Sequence, residues 1–168
     1  MAADSNNNEV LITACREDNL DMLETVLSAD KSSFDINHTD GLGNSALHYA
    51  ARYGSTGCLE ILLYYDGIRI NASNNHEGDT ALHKAASYQD PEIALEMVQL
   101  LISKGASPKI KNKLQQTPAD VAPSDTHAEV KSYLESAALA ALVLLEFNNL
   151  LFHGFADIGN LRVQCLLI

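Results

Sequence analysis

Apolar and small residues recur along this chain in a phrase that is used twice. From Gly43 to Gly54 it reads GNSALHYAARYG, and from Gly78 to Gln89 it reads GDTALHKAASYQ. Leu47, Ala50 and Ala51, like Leu82, Ala85 and Ala86, follow the three- and four-residue spacing that places side chains on one face of a helix. The alanines make that face thin, so another helix can approach closely. A bulkier apolar run follows each phrase, LEILLYY from Leu59 and MVQLLIS from Met97, and predicts a second helix that carries most of the core. Gly67 and Gly105 stand beyond those runs, where a residue in the left-handed conformation ends a helix.

Leu47 and Leu82 lie 35 residues apart, and fainter copies flank them. Upstream, in LITACREDNLDMLETVL, Leu11, Ala14 and Cys15 match Leu47, Ala50 and Ala51; downstream, TPADVA from Thr117 precedes EVKSYL. The pattern therefore predicts four helix pairs over 9–136, divided at about 9–39, 40–74, 75–111 and 112–136. Ser45, Thr80 and Thr117 each stand just before a first helix, where a hydroxyl can accept from an orphan N–H of the first turn. Between units lie DGLG from Asp40, NHEG from Asn75 and NKLQ from Asn112, which suit type I β-turns projecting as loops.

The recurring D-x-x-G-x-[ST]-[AP]-L-H-x-A-A resembles the ankyrin repeat, a turn plus two antiparallel helices. The resemblance implies an all-α solenoid of stacked helix pairs. Two units depart from the pattern. In the third, Val98 follows Ala86 four places later than Leu59 follows Ala51, so an insertion of about one helical turn around YQDPEIALEM is expected to form a bulge. In the fourth, Gln115 replaces the turn glycine, Ala119-Asp120 replaces Leu-His, and Pro123 is expected to end the first helix early, as suits a terminal capping unit.

Two segments lie outside the repeats. Residues 1–8, MAADSNNN, read as a disordered lead-in without the basic region and apolar core of a signal peptide. Residues 137–168 open with an apolar helix former, AALAALVLL, that Glu146, Asn148 and Asn149 interrupt before the length of about 20 residues that a bilayer crossing needs. Three readings of this hydrophobic C-terminal segment stay open: a helix packed over the last repeat, a partner-binding segment, and membrane attachment. The final CLLI resembles a prenylation box, but no polybasic stretch precedes it and Ile is not among the usual final residues.

A formal charge of -11 argues against nucleic acid as a partner, because such binding rests on cations neutralising phosphates. Cys15, Cys58 and Cys165 are odd in number and lack C-x-x-C pairing, which fits a reducing compartment: the cytoplasm, with the nucleus as a second location. His48 and His83 stand three places after Ser45 and Thr80, so each ring can return to the cap and tie the turn to the helix. His38, His76 and His127 lack metal-ligand spacing, no phosphate-binding loop is present, and Cys58 has no orienting carboxylate beside it. No catalytic residue, cofactor, metal or small-molecule substrate is expected.

The resemblance implies instead a protein-binding module of the adaptor, inhibitor or assembly-factor type. In the family, turn tips and the exposed faces of the first helices form a concave surface. Here those places hold Arg16, Glu17, Gly41, Leu42, Asn44, Arg52, Tyr53, His76, Glu77, Asp79, Ser87, Tyr88, Lys113 and Leu114. Arg52, Tyr53 and Tyr88 are the expected hot spots, against the alternative that they merely fill a helix surface. The rival function is a membrane-tethered regulator held through 137–168.

Overall fold

A computed structural model describes residues 5–144 and is helical, with no strand among them. The helices are α1 (Ser5–Glu17), α2 (Leu20–Leu27), α3 (Ala46–Tyr53), α4 (Thr56–Leu63), α5 (Ala81–Ala86), α6 (Pro91–Ser103), α7 (Pro118–Val121) and α8 (128–144). They form four consecutive pairs. The first helices α1, α3, α5 and α7 touch in that order and make one layer, while α2, α4 and α6 make a second.

The small residues explain the close first layer. Ala14 and Cys15, Ala50 and Ala51, and Ala85 and Ala86 are fully buried, with Leu11, Leu47 and Leu82 beside them. Axes can approach to roughly 8 Å only where such side chains meet. The second layer is filled by Leu23, Leu59, Leu62, Met97 and Leu101, then by Val130 and Leu134 on α8. One buried cluster runs through all four pairs.

Boundaries follow local chemistry. Gly67 and Gly105 both have positive φ, as expected from their places after the second helices. Asp18 and Gly54 hold corresponding left-handed positions between α1 and α2 and between α3 and α4. Pro118 opens α7, and Ala122 leaves the helical region because Pro123 follows it.

Two expectations need correction. The lead-in ends earlier than residue 8, since α1 begins at Ser5; Asn8 is buried and its Oδ1 accepts the Asp35 N–H at 2.7 Å, so the Asn run is recruited as polar anchorage for the first loop. The insertion in the third unit makes no bulge. It lengthens α6 to 13 residues against 8 in α4, because Asp90 caps the new N-terminus by accepting from the N–H of Glu92 and Ile93, and Pro91 fits the first helical position. Within 137–144, Leu139, Leu142, Val143 and Leu144 are exposed. The remainder of the hydrophobic segment, with Cys165, lies outside the described residues. No described helix is long and apolar enough to cross a membrane.

Candidate functional site

The turns before α3, α5 and α7 are built by one repeated device. Asp40 Oδ1 accepts the N–H of Leu42 and Asn44, and Asn112 Oδ1 accepts those of Leu114 and Gln116. In the middle turn Asn74, not Asn75, does this, accepting from Glu77 and Asp79; that turn is one residue wider than its neighbours. A side-chain acceptor closing the backbone two to five residues on is the usual use of Asp and Asn in turns.

Successive turns are then cross-linked. The Asn75 N–H donates to Leu42 O and the Lys113 N–H to Glu77 O, both at 2.9 Å. Amide side chains continue the series: Asn74 Nδ2 donates to Asn44 Oδ1, and Asn112 Nδ2 to Asp79 Oδ1, again at 2.9 Å. Gly43, with φ of 80°, must be glycine for this approach, since a Cβ there would stand 2.5 Å from the Asn75 nitrogen. The corresponding position of the fourth unit, Gln115, also has positive φ.

The two histidines complete the frame. His48 Nδ1 accepts the Ser45 N–H at 3.2 Å and the Ser45 hydroxyl at 2.9 Å, which leaves Nε2–H to donate to Asp79 O of the next unit at 3.1 Å. His83 repeats this with Thr80 and with Gln116 O at 3.0 Å. Burial of both rings disfavours their charged form and holds their pKa values below the ordinary histidine value, outweighing the carbonyl that each faces. In the fourth unit Asp120 takes the histidine's place at Thr117.

Against this frame the variable residues make a surface. Arg52, Tyr53, Glu77, Ser87 and Tyr88 line a cavity of about 470 Å³ with Lys84 and Gln89. Tyr53 stacks on Tyr49, ring centres 6.1 Å apart, and Tyr49 donates its hydroxyl to Asp40 at 2.6 Å. Lys84, at the position corresponding to Tyr49, is buried and binds both Glu77 and, at 2.9 Å, Asp79. Its ammonium holds the Glu77 carboxyl below the usual range; for Asp79 burial works upward, but Lys84 and Asn112 bring the net shift down.

Most predicted site residues are exposed: Arg16, Glu17, Gly41, Leu42, Arg52, Tyr53, His76, Glu77, Ser87, Lys113 and Leu114. Arg16 and Glu17 end α1, and Leu42, His76 and Leu114 sit at turn tips, apart from the cavity. Three residues differ from expectation. Asn44 is buried, its amide spent on the turn-to-turn series. Asp79 is largely enclosed by Lys84 and Asn112. Tyr88 is half-buried, its ring lying over Gly54, where a Cβ would meet the phenol carbon at 2.4 Å. Sequence reading missed Tyr49, Lys84 and Gln89 as lining or supporting groups; the Tyr49/Lys84 mismatch between the two phrases was the available signal.

No group of three or more His, Cys, Asp or Glu suited to a metal occurs among the described residues. Cys15 and Cys58 are free and buried, and hydrogen bonding to Cys58 together with burial pushes the Cys15 thiol up, away from the reactive thiolate.

Comparison with known proteins gives matches along most of this frame. The family model for ankyrin repeats in three copies matches residues 1–74, and the single ankyrin repeat matches 77–113. The ankyrin repeat-containing protein YGL242C of Saccharomyces cerevisiae is 38% identical over 141 residues, covering 79% of this chain and 78% of that protein. The putative ankyrin repeat protein YahD of Escherichia coli is 31% identical over 127 residues, 75% of this chain and 61% of YahD. The nuclear factor NF-kappa-B p105 subunit of Mus musculus is 36% identical over 87 residues, 52% of this chain but 9% of that much longer protein.

Proposed function

The chain belongs to the ankyrin repeat family, and from that premise we propose that it is a non-catalytic adaptor, inhibitor or assembly factor that binds a protein through the concave face of its stack. Ankyrin repeats are protein–protein interaction modules. The observation that carries the finer reading is the cavity beside α3 and α5, where exposed Arg52 and Tyr53 and half-buried Tyr88 stand over a hydrogen-bonded frame. Tyr and Arg supply large contact area with a polar tip and a charged fork, the usual anchors of protein interfaces. The surface is held in place before any partner arrives, which lowers the ordering cost of binding. A cytoplasmic location suits a chain with two buried free thiols.

Crosslinking in cell extract followed by mass spectrometry supplies the partner, and affinity is then measured for Arg52→Ala and Tyr53→Ala. A true hot spot loses at least about 2 kcal/mol of binding with melting unchanged. Unchanged affinity in both variants removes the concave-face assignment. A second reading, membrane attachment through 137–168, draws on the exposed Leu139, Leu142, Val143 and Leu144. Flotation of the full chain with liposomes supports it; a chain that stays at the bottom of the gradient rejects it.

A further inference from the structure

The lengthened α6 creates a second surface on the other layer of the molecule. Its extra first turn lies beside the start of α8, and the two helices leave a cavity of about 520 Å³ between them. A second cavity of about 450 Å³ continues along the same helices and shares Leu95, Gln99, Ala128 and Glu129 with the first. The resulting groove has no lining residue in common with the cavity around Arg52 and Tyr53. It is independent of the concave-face reading.

Its apolar floor is supplied by the partly exposed Leu95 and Tyr133, with Val130 fully buried beneath them. Its walls are acidic: Glu92 and Glu96 stand one turn apart on α6, with Glu129 across from them on α8. None of the three carboxylates has an ion-pair partner among the described residues, and no Lys or Arg lines the groove. Like charges four residues apart on a helix destabilise it slightly unless something opposite answers them. Pro91 to Gln99 is about 12 Å of helix, enough to seat roughly two turns of a second helix.

We propose that this groove between α6 and α8 docks a basic amphipathic helix of a partner protein. Apolar side chains one turn apart enter over Leu95 and Tyr133, and flanking Lys or Arg residues meet Glu92, Glu96 and Glu129. The chain's net charge of -11 steers such a helix toward the protein, while the apolar floor fixes where it stops.

The test is a fluorescence anisotropy titration of the full chain with a labelled 14-residue peptide of about this design, Leu on one face and Lys and Arg flanking it. Saturable binding is expected, weakened at least about tenfold by the triple substitution Glu92→Gln, Glu96→Gln and Glu129→Gln. It should be weakened similarly by scrambling the peptide, and little affected by Asp21→Asn, Glu24→Gln and Asp30→Asn, which remove the same charge elsewhere. Leu95→Ser separates floor from walls, with melting curves confirming that each variant folds. Equal losses from both charge triples would mean attraction to net charge alone and would overturn the proposal. Sedimentation equilibrium in which the groove substitutions dissociate a self-associated chain would overturn it too, by making the occupant a second copy.

Discussion

Replacing His83 by alanine tests the frame most directly. The ring is fully buried and makes three hydrogen bonds: from the Thr80 N–H at 3.2 Å, from the Thr80 hydroxyl at 2.9 Å, and to Gln116 O of the following unit at 3.0 Å. Each contributes on the order of 1 kcal/mol net, and a buried donor or acceptor left without a partner costs at least that much. His83→Ala should therefore lose about 3 kcal/mol, before adding any void left by the imidazole. A mid-sized chain converts that into a fall in Tm of roughly 10 °C. The assay is thermal and urea unfolding followed by circular dichroism at 222 nm, with His76→Ala as control because His76 is an exposed turn residue. A loss below about 0.5 kcal/mol for His83→Ala would refute the reasoning, since it would mean that the cap bonds are recovered from water. A variant that melts like the wild type yet no longer binds its partner would move His83 into the binding surface.

Other predictions follow from the same geometry. Because His48 and His83 have folded pKa values below the ordinary value of about 6.5, the unfolded chain binds more protons between the two values; stability is full above about pH 6.5 and falls as the pH drops. The lowered Glu77 and Asp79 add a second loss below about pH 4, so Tm plotted against pH should show two acid limbs, and His83→Ala should flatten the first. Lys84→Ala leaves the enclosed Asp79 without its cation and should cost about 2 kcal/mol in urea unfolding, a figure discounted from a fully buried pair because Glu77 is exposed. A cost under about 0.5 kcal/mol would show that both carboxylates are adequately hydrated. Gly43→Ala should destabilise by more than Gly67→Ala in the same assay, because both have positive φ but only Gly43 faces the next turn at close range; equal losses would show that conformational strain alone decides.

The repeated frame was legible in the sequence because each of its parts has a local cause. A hydroxyl three residues before a histidine, a pair of small residues on a thin helix face and a glycine after an apolar run each specify their own geometry whatever lies farther along the chain. What could not be read locally is what depends on the neighbouring unit. Asn44 looks like an exposed turn residue until Asn74, thirty positions later, takes its amide. The width of the middle turn follows from which asparagine closes it, and Asn74 and Asn75 are chemically identical candidates. The insertion was visible as a count but not as a shape, because a Pro preceded by Asp can end a loop or start a helix; here Asp90 capping makes it the latter.

The two phrases differ at Tyr49 and Lys84, and the difference is not outward decoration. Tyr49 donates a phenol hydroxyl to Asp40, and Lys84 places an ammonium against Glu77 and Asp79. Both residues reach from the first helix back to the acid of their own turn, so one structural task is met by two chemistries. The consequences for the surface diverge. A neutral donor leaves Asp40 anionic beneath a pair of stacked tyrosines, whereas the cation neutralises part of the Glu77–Asp79 charge and leaves the neighbouring Arg52 without an ion-pair partner among the described residues. Variation at this position therefore tunes the charge beside the cavity lined by Arg52 and Tyr53. Such tuning is how a repeat array can change what it binds while keeping the frame that makes it fold.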